Sequence, residues 1–446
     1  MKSKLLLLFI LLFQISSAFA QSLSARMDSL VTAYNNQYKF NGVVLVAKGG
    51  NVLLKKGYGY KDYGNRKPSD PNGIFQIGSI TKQFTSTVIL RLQEEGKLDV
   101  KDKMTKYVPD FPGGDQITLE NLLTHTSGIY NYTNDNKFMN NESLLHVELG
   151  RMISMMKSKP LEFQPGTKFS YSNSNYILLG YIVQKVTGKP YEQVVHEYIF
   201  NPLGMNHSGF DFKNLKDTNK VVGYLAFEKS LQLLASVVDS SASFAAGAMY
   251  STLDDLYKWD RGLYGNKVVN QSSLEKAFTP KLNKYGYGWF IDTVKGKRIL
   301  THNGGIFGFT ADFLRIPADE ICIILLCNEG ENLSPITKGL RNILYDLPYD
   351  LPVERKSIEL PEEELREYVG EYWVSESVKV NITLESGQLK GQLTGQPKVE
   401  LFAQRKDLFF IKVVDAQLEF KRDSTGKVQK VTLYQGGAMI EAPKVK

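Results

Sequence analysis

The chain has 446 residues, 42% of them hydrophobic and 23% charged, a balance that excludes a disordered chain and a polytopic membrane protein. That length exceeds one simple core and predicts two domains. A net charge of +7, spread along the chain, is too mild to imply a nucleic-acid partner.

The N-terminal stretch "MKSKLLLLFILLFQISSAFA" has a basic start, an apolar run from Leu5 to Phe13 and a small-residue end at Ala18-Phe19-Ala20. This order predicts a cleavable export signal over residues 1–20, with an apolar run too short to span a bilayer. The expectation is a secreted or periplasmic protein with no integral membrane span after cleavage. Losing Lys2 and Lys4 lowers the charge from +7 to +5. No cysteine follows the run, so no lipid attachment is predicted. Leu23, Met27, Leu30, Val31 and Tyr34 then share one helical face. "GVVLVAKGGNVLLKKGYGY" predicts two strands around a Gly49-Gly50-Asn51 turn. From residue 79 to about 345 the pattern is mostly helical, including a helix from about Asn175 that Gly188 ends. Residues 208–243 show little periodicity and are expected to be a loop covering a site.

Strands return late, at "YGYGWFI", "KRILTHNGG", "FTADFLRI" and "ICIILLC", before a closing helix near 334–345. The economical fold is α+β, an antiparallel sheet built from both chain ends with a helical insertion covering it. Cys322 and Cys327, five apart on one strand, point to opposite faces about 16 Å apart and cannot bridge. They are expected to be packed thiols. The first domain thus runs over 21–347. The proline-bearing stretch 348–360 is predicted as a linker. Residues 361–446 turn to strict period two, as in "VKVNITLES" and "KVQKVTLYQ", which predicts a small all-β domain, a barrel or sandwich.

Three separated motifs carry chemistry. In "FQIGSITKQFTS", Ser79 and Lys82 are i and i+3 on a helix that opens at the serine, so hydroxyl and amine share a face. Ser79 is expected both to cap that helix and to offer its hydroxyl to a cleft. A lysine buried beside it loses proton affinity and can act as a base. Tyr171-Ser172-Asn173 lies just before a helix, where a loop can aim a phenol and a carboxamide into the same cleft. His302-Asn303-Gly304-Gly305 ends a late strand, and glycines there let a ligand reach the backbone. An N–H at that strand end and the Ser79 N–H would make the two halves of an oxyanion hole.

In this order and these settings the motifs resemble the serine β-lactamase and penicillin-binding-protein superfamily, in its class C β-lactamase-like branch, peptidase family S12. The resemblance covers roughly residues 25–345 and includes "ITLENLLTHTSGI", "PGTKFSYSNSNYILLGYIVQKVTGKPYEQ", "PLGM" and "AAGAMYSTLDDLYKW". The tail, through "YVGEYW" and "GKVQKVTL", is similar to the accessory β-domain often fused to such hydrolases. The resemblance implies that Ser79 is acylated, Lys82 assists its deprotonation, Tyr171 is the general acid/base and Asn173 contacts a substrate amide. It implies that the Ser79 and Gly305 N–H groups hold the oxyanion, and that His302, Asn303, Gly304 and Gly305 form the substrate-binding strand. His302 stands where class C β-lactamases and most D,D-peptidases carry lysine. A histidine titrating near neutrality would anchor a substrate carboxylate conditionally, and the HxG form is more like esterases and peptidases of the branch.

The sequence therefore predicts an exported serine hydrolase of amides or esters: a D-amino-acid peptide, a β-lactam or a small ester. Two other readings stay open, a penicillin-binding-type protein without turnover and a partner-binding role for the β-domain. His125, in "LLTHTSG", is expected to brace a turn. His146, His196 and His207 lack ligand spacing, so neither metal nor cofactor is predicted. No GxSxG motif occurs, which leaves no nucleophile elbow of the α/β-hydrolase kind.

Overall fold

The run "ICIILLC" is apolar throughout because both of its faces are covered. In the computed structural model it forms an inner strand of a six-stranded sheet. The structure describes residues 23–445 apart from 229–230, 353–354, 376–377, 396–397, 412–415 and 436–437. The predicted export signal lies outside the described residues. Strands β1 (Gly42–Lys48) and β2 (Asn51–Tyr58) come from the N-terminal side. Strands β3 (Phe290–Val294), β4 (Lys297–Ile306), β5 (Phe309–Ile316) and β6 (Ile321–Cys327) come from the C-terminal side. Their order is β2-β1-β6-β5-β4-β3 and every pairing is antiparallel, which is the expected sheet built from both ends.

Alternation sorts the two faces. Val43, Leu45, Cys322, Ile324 and Leu326 face the core shared with the helical insertion. Val44, Val46, Ile323, Leu325 and Cys327 face the core shared with helices α1 (23–36) and α5 (Ser334–Leu344). The two cysteines are thus buried free thiols on opposite faces. The insertion contributes α2 (Thr81–Glu94), α3 (Asn173–Thr187) and α4 (Ser240–Gly247). Gly188 ends α3 at φ 68, as a left-handed residue does. Ile80, Phe84 and Val88 are fully buried in the insertion core, and Phe84 stacks on Trp259 at 4.3 Å.

Two expectations change. "YGYGWFI" is not a strand along its length; β3 begins at Phe290. Gly288, at φ +79, instead turns the chain onto α2, where an added Cβ would come within 2.8 Å of the Lys82 carbonyl oxygen. The 208–243 stretch is not a plain loop, because Tyr224–Glu228 and Leu231–Leu234 form a hairpin. It escaped detection because Leu225, Leu233 and Leu234 are all more than half exposed, so no in-out alternation marks it.

The chain divides into two compact units after Pro352. The second unit holds a four-stranded and a five-stranded antiparallel sheet over 370–443. They share a core that includes Tyr372, Ile382, Leu389, Phe409, Phe420 and Val431. One helical turn, Glu362–Arg366, precedes them. No helix among the described residues is long and apolar enough to cross a membrane.

Arg315 on β5 and Asp260 form an ion pair at 2.8 Å with side chains 1% and 0% exposed. The guanidinium also donates to the Asp260 carbonyl and lies over the Tyr264 ring. Removing one partner leaves the other charge buried alone. Asp260→Ala should therefore cost about 3–5 kcal/mol in urea unfolding, and Asp260→Leu combined with Arg315→Met should recover most of it. A loss under about 1 kcal/mol for the single variant would contradict this account.

Candidate active site

The approach of two backbones creates the site. Gly78–Ile80 is a short 3-10 turn leading into α2. Gly78 has φ +50, and a Cβ there would lie 2.7 Å from the Gly305 nitrogen. A Cβ on Gly304 would lie 1.9 Å from the Ile77 carbonyl oxygen and 3.2 Å from the Ser79 nitrogen. Only glycine allows strand β4 and the turn to meet this closely. Gly305 has open space where its Cβ would be, and it lines one cavity with Ser79.

Ser79 does not cap α2. Because the 3-10 turn precedes the helix, Ile80 takes the N-cap position, and neither segment has a side-chain cap. The Ser79 hydroxyl is thereby left for Lys82, whose Nζ lies 2.9 Å from Oγ. Lys82 is fully buried. Its Nζ is also 2.8 Å from Asn173 Oδ1 and 2.7 Å from the Ala246 carbonyl oxygen. The rings of Tyr171 and Tyr176 lie 5.0 and 5.4 Å away. Among the described residues no carboxylate pairs with it, and burial drives its pKa well below the ordinary lysine value. A neutral amine held here donates two N–H bonds, to Asn173 and Ala246. Its lone pair then faces the Ser79 O–H, so it can take that proton.

The Ala246 contribution was not visible in sequence. Within α4, Phe244 has φ 36 and ψ −131, a break in the helix. A non-glycine residue there is strained. Just beyond it, the Ala245 carbonyl accepts from Thr85 Oγ1 at 2.7 Å and the Ala246 carbonyl from Lys82. The motif "AAGAMY" carries no chemical side chain; its function in the site is a carbonyl direction.

Tyr171 is aimed by His125. The His125 carbonyl accepts from Ser170 N–H at 2.9 Å, and its Nδ1 accepts from Ser172 N–H at 3.2 Å. Its ring packs on Tyr171 at 4.2 Å. The expected turn brace therefore grips the loop on both sides of Tyr171. Burial, with Lys82 nearby, holds the His125 pKa well below its usual value. The Tyr171 phenol lies by the Ser79 side chain, and burial raises it above its ordinary pKa, which keeps it protonated.

Asn173 has a second task beyond the one expected, and His302 takes a different place. Asn173 lines the cavity, but its Oδ1 is taken by Lys82 and its Nδ2 donates to Thr133 Oγ1 at 3.2 Å. It orients the amine while still lining the cavity. His302 is 1% exposed and lies off the cavity wall. Its Nδ1 is 2.6 Å from the Asn303 carbonyl oxygen, so that nitrogen carries the proton. Nε2 then accepts from Tyr285 Oη at 3.0 Å. Burial above all, with Lys82 as a close neighbour, pushes its pKa down to about 3 against the pull of the Asn303 carbonyl. His302 is a neutral packing residue, and the expected titrating anchor for a carboxylate is absent from its side chain. Asn303 is exposed, and Gly304 acts through its close approach to Ile77.

The cavity has a volume of about 460 Å³ and is lined by Ser79, Asn173 and Gly305 of the predicted residues, with Tyr132, Met139, Ala246 and the 224–225 end of the hairpin. Among the described residues no cluster of three His, Cys, Asp or Glu side chains is placed to hold a metal.

The Beta-lactamase family model matches residues 27–345. The chain belongs to the beta-lactamase family. Residues 354–442 match a domain of unknown function, DUF3471. Penicillin-binding protein 4* of Bacillus subtilis (strain 168) is 28% identical over 96% of this chain and 100% of its own. The putative penicillin-binding protein PbpX of the same organism is 36% identical over 58% of this chain and 64% of its own. Among solved structures, the octameric penicillin-binding protein homologue from Pyrococcus abyssi has a TM-score of 0.66 at 26% identity, covering 94% of this chain and 99% of that one. A D-amino acid amidase from Ochrobactrum anthropi SV3 shares the fold, with a TM-score of 0.64 at 22% identity over 73% of this chain and 99% of that one.

The state of His302 has a consequence for stability. In the unfolded chain a histidine takes a proton near 6.5 that the folded His302 refuses until about 3. Its contribution is therefore full above about 6.5 and lost as pH falls toward 3. Between pH 7 and pH 5, wild type should lose about 2 kcal/mol more than His302→Gln in urea unfolding. Equal losses in both proteins would show that His302 is not buried neutral.

Proposed function

We propose that the protein is an exported serine hydrolase that cleaves an amide or ester through an acyl-enzyme on Ser79. The observation that carries this reading is Lys82 Nζ, buried 2.9 Å from Ser79 Oγ, with its other hydrogen-bonding directions taken by Asn173 and Ala246. Lys82 removes the Ser79 proton as Oγ adds to the substrate carbonyl. The oxyanion faces the Ser79 and Gly305 N–H groups, pre-set by the backbone contact at Gly304. Tyr171, held protonated, gives its proton to the leaving group, and the proton on Lys82 replaces it. Water then takes the leaving group's place and the relay runs back, returning the proton to Ser79 Oγ. The likeness to penicillin-binding protein 4* along nearly the whole chain supports penicillin-type substrates as candidates. Neutral His302 argues against one that depends on a carboxylate anchor at that position.

A fluorescent penicillin or a fluorophosphonate should label wild type and spare Ser79→Ala; equal labelling of both would remove Ser79 as nucleophile. Lys82→Ala and Tyr171→Phe should each slow acylation by about 10² or more, read as the labelling rate. Near-normal rates would take them out of the proton relay.

A further inference from the structure

Among the described residues, none that lines the cavity beside Ser79 bears a charge. Its walls are Met139, Val238, Ile306, Phe307 and Leu225, with small polar groups from Thr133, Ser143 and Ser243. Three charged groups close to its wall are neutral or already engaged. Glu329 precedes the lining residue Gly330 and is 3% exposed. Burial, reinforced by Glu331, lifts its pKa to about 9, so it is uncharged at neutral pH. Lys213, which donates to the Leu144 carbonyl behind Ser143, is paired with Asp239 at 3.5 Å. Lys82 is buried beneath the cavity and engaged by Asn173 and Ala246. A charged substrate group entering here would lose water and gain no counter-charge.

The cavity also has a side. The leaving group must lie against the Tyr171 hydroxyl to take its proton, yet Tyr171 is not among the lining residues, whereas Ser79 and Gly305 are. The space is thus across the reacting carbonyl from the proton donor, where the acyl group lies. The apolar wall continues outward, since Leu225 is 53% exposed and Leu234, opposite Tyr224 in the hairpin register, is 63% exposed.

We propose that the acyl half of the substrate is an uncharged, apolar chain or ring seated against Met139, Val238, Ile306 and Phe307, and that Leu225 of the hairpin determines how long an acyl group is accepted. The proposal rests on the reading of Ser79 as the acylated nucleophile. It disfavours acyl groups with a carboxylate and equally those with a free ammonium, including unprotected amino-acid amides.

The test uses the full-length enzyme and p-nitrophenyl esters with one leaving group. Three acyl groups of matched length, hexanoyl, 6-aminohexanoyl and the adipic half-acid, are compared with an acetate-to-octanoate series. The kcat/KM should rise about fourfold per methylene while the chain stays inside the cavity. Either terminal charge should lower it by at least about 10². Leu225→Asp, and independently Leu225→Asn, should lower the octanoate-to-acetate ratio of kcat/KM at least about tenfold; both replace an exposed side chain. A flat series, a charged ester as good as hexanoate, or an unchanged ratio in both variants would overturn the proposal. A small fluorophosphonate applied in parallel separates the two failures. Labelling of wild type but not Ser79→Ala with a flat series refutes the acyl-group assignment alone, and no labelling refutes the nucleophile and the proposal with it.

Discussion

An amine buried without a counter-charge governs this molecule. Lys82 is held by a hydroxyl, a carboxamide and a backbone carbonyl, and none of these neutralises a cation. An isolated buried ammonium is costly, so the group gives up its proton. Much else in the site follows. The rings of Tyr171 and Tyr176 keep water from the amine, and His125 holds Tyr171 in place. The same burial keeps the surrounding groups neutral. His302 stays uncharged beside Lys82 and the phenol of Tyr171 stays protonated. Protons can then move between groups of matched charge inside one largely buried cluster, where each shift of charge is strongly felt.

The second constraint is the contact of β4 with the 78–80 turn. A six-stranded sheet and a helix start are rigid objects, and they meet where Gly78 and Gly304 leave no room for a Cβ. Positioning by backbone contact is stiffer than positioning by side chains, because no rotamer can relax it. The strained Phe244 belongs to the same design. It breaks α4 so that two consecutive carbonyls reach Thr85 and Lys82, and the strain is held by packing on α3, where Gly180 leaves room for the Phe244 ring and Ala245.

What was legible in the sequence follows from where the information resides. The double-sided burial of "ICIILLC" and the Gly49-Gly50-Asn51 turn are local patterns, and they led to the sheet. Ser79, Lys82, Tyr171 and Asn173 are chemical side chains at short spacings, so the structure could be expected to gather them. Their partners were less visible. Ala246 acts through a carbonyl, and its direction depends on a dihedral angle at Phe244 that no residue type announces. The hairpin over 224–234 exposes leucines on what would be its polar positions, which erases the period-two signal. His302 misled for a related reason: residue type suggested a titrating cation, and burial against Tyr285 decided otherwise.

Position 302 also links the site to its selectivity. A lysine there, as in the relatives that the motif resembles, would add a permanent charge close to Lys82, and each cation would oppose protonation of the other. It would also need an anion to satisfy it, supplied by the substrate. Here the imidazole is satisfied internally, by the Asn303 carbonyl and Tyr285. On the proposed reading the strand receives the substrate's carbonyl oxygen at Gly305 and offers no charge at 302. Binding energy must come from elsewhere, and the surface next to Gly305 that offers it is the apolar wall of Ile306 and Phe307. On the proposed reading, exchanging a charge for a neutral ring on β4 moves recognition along the same strand, from an electrostatic anchor to a hydrophobic one.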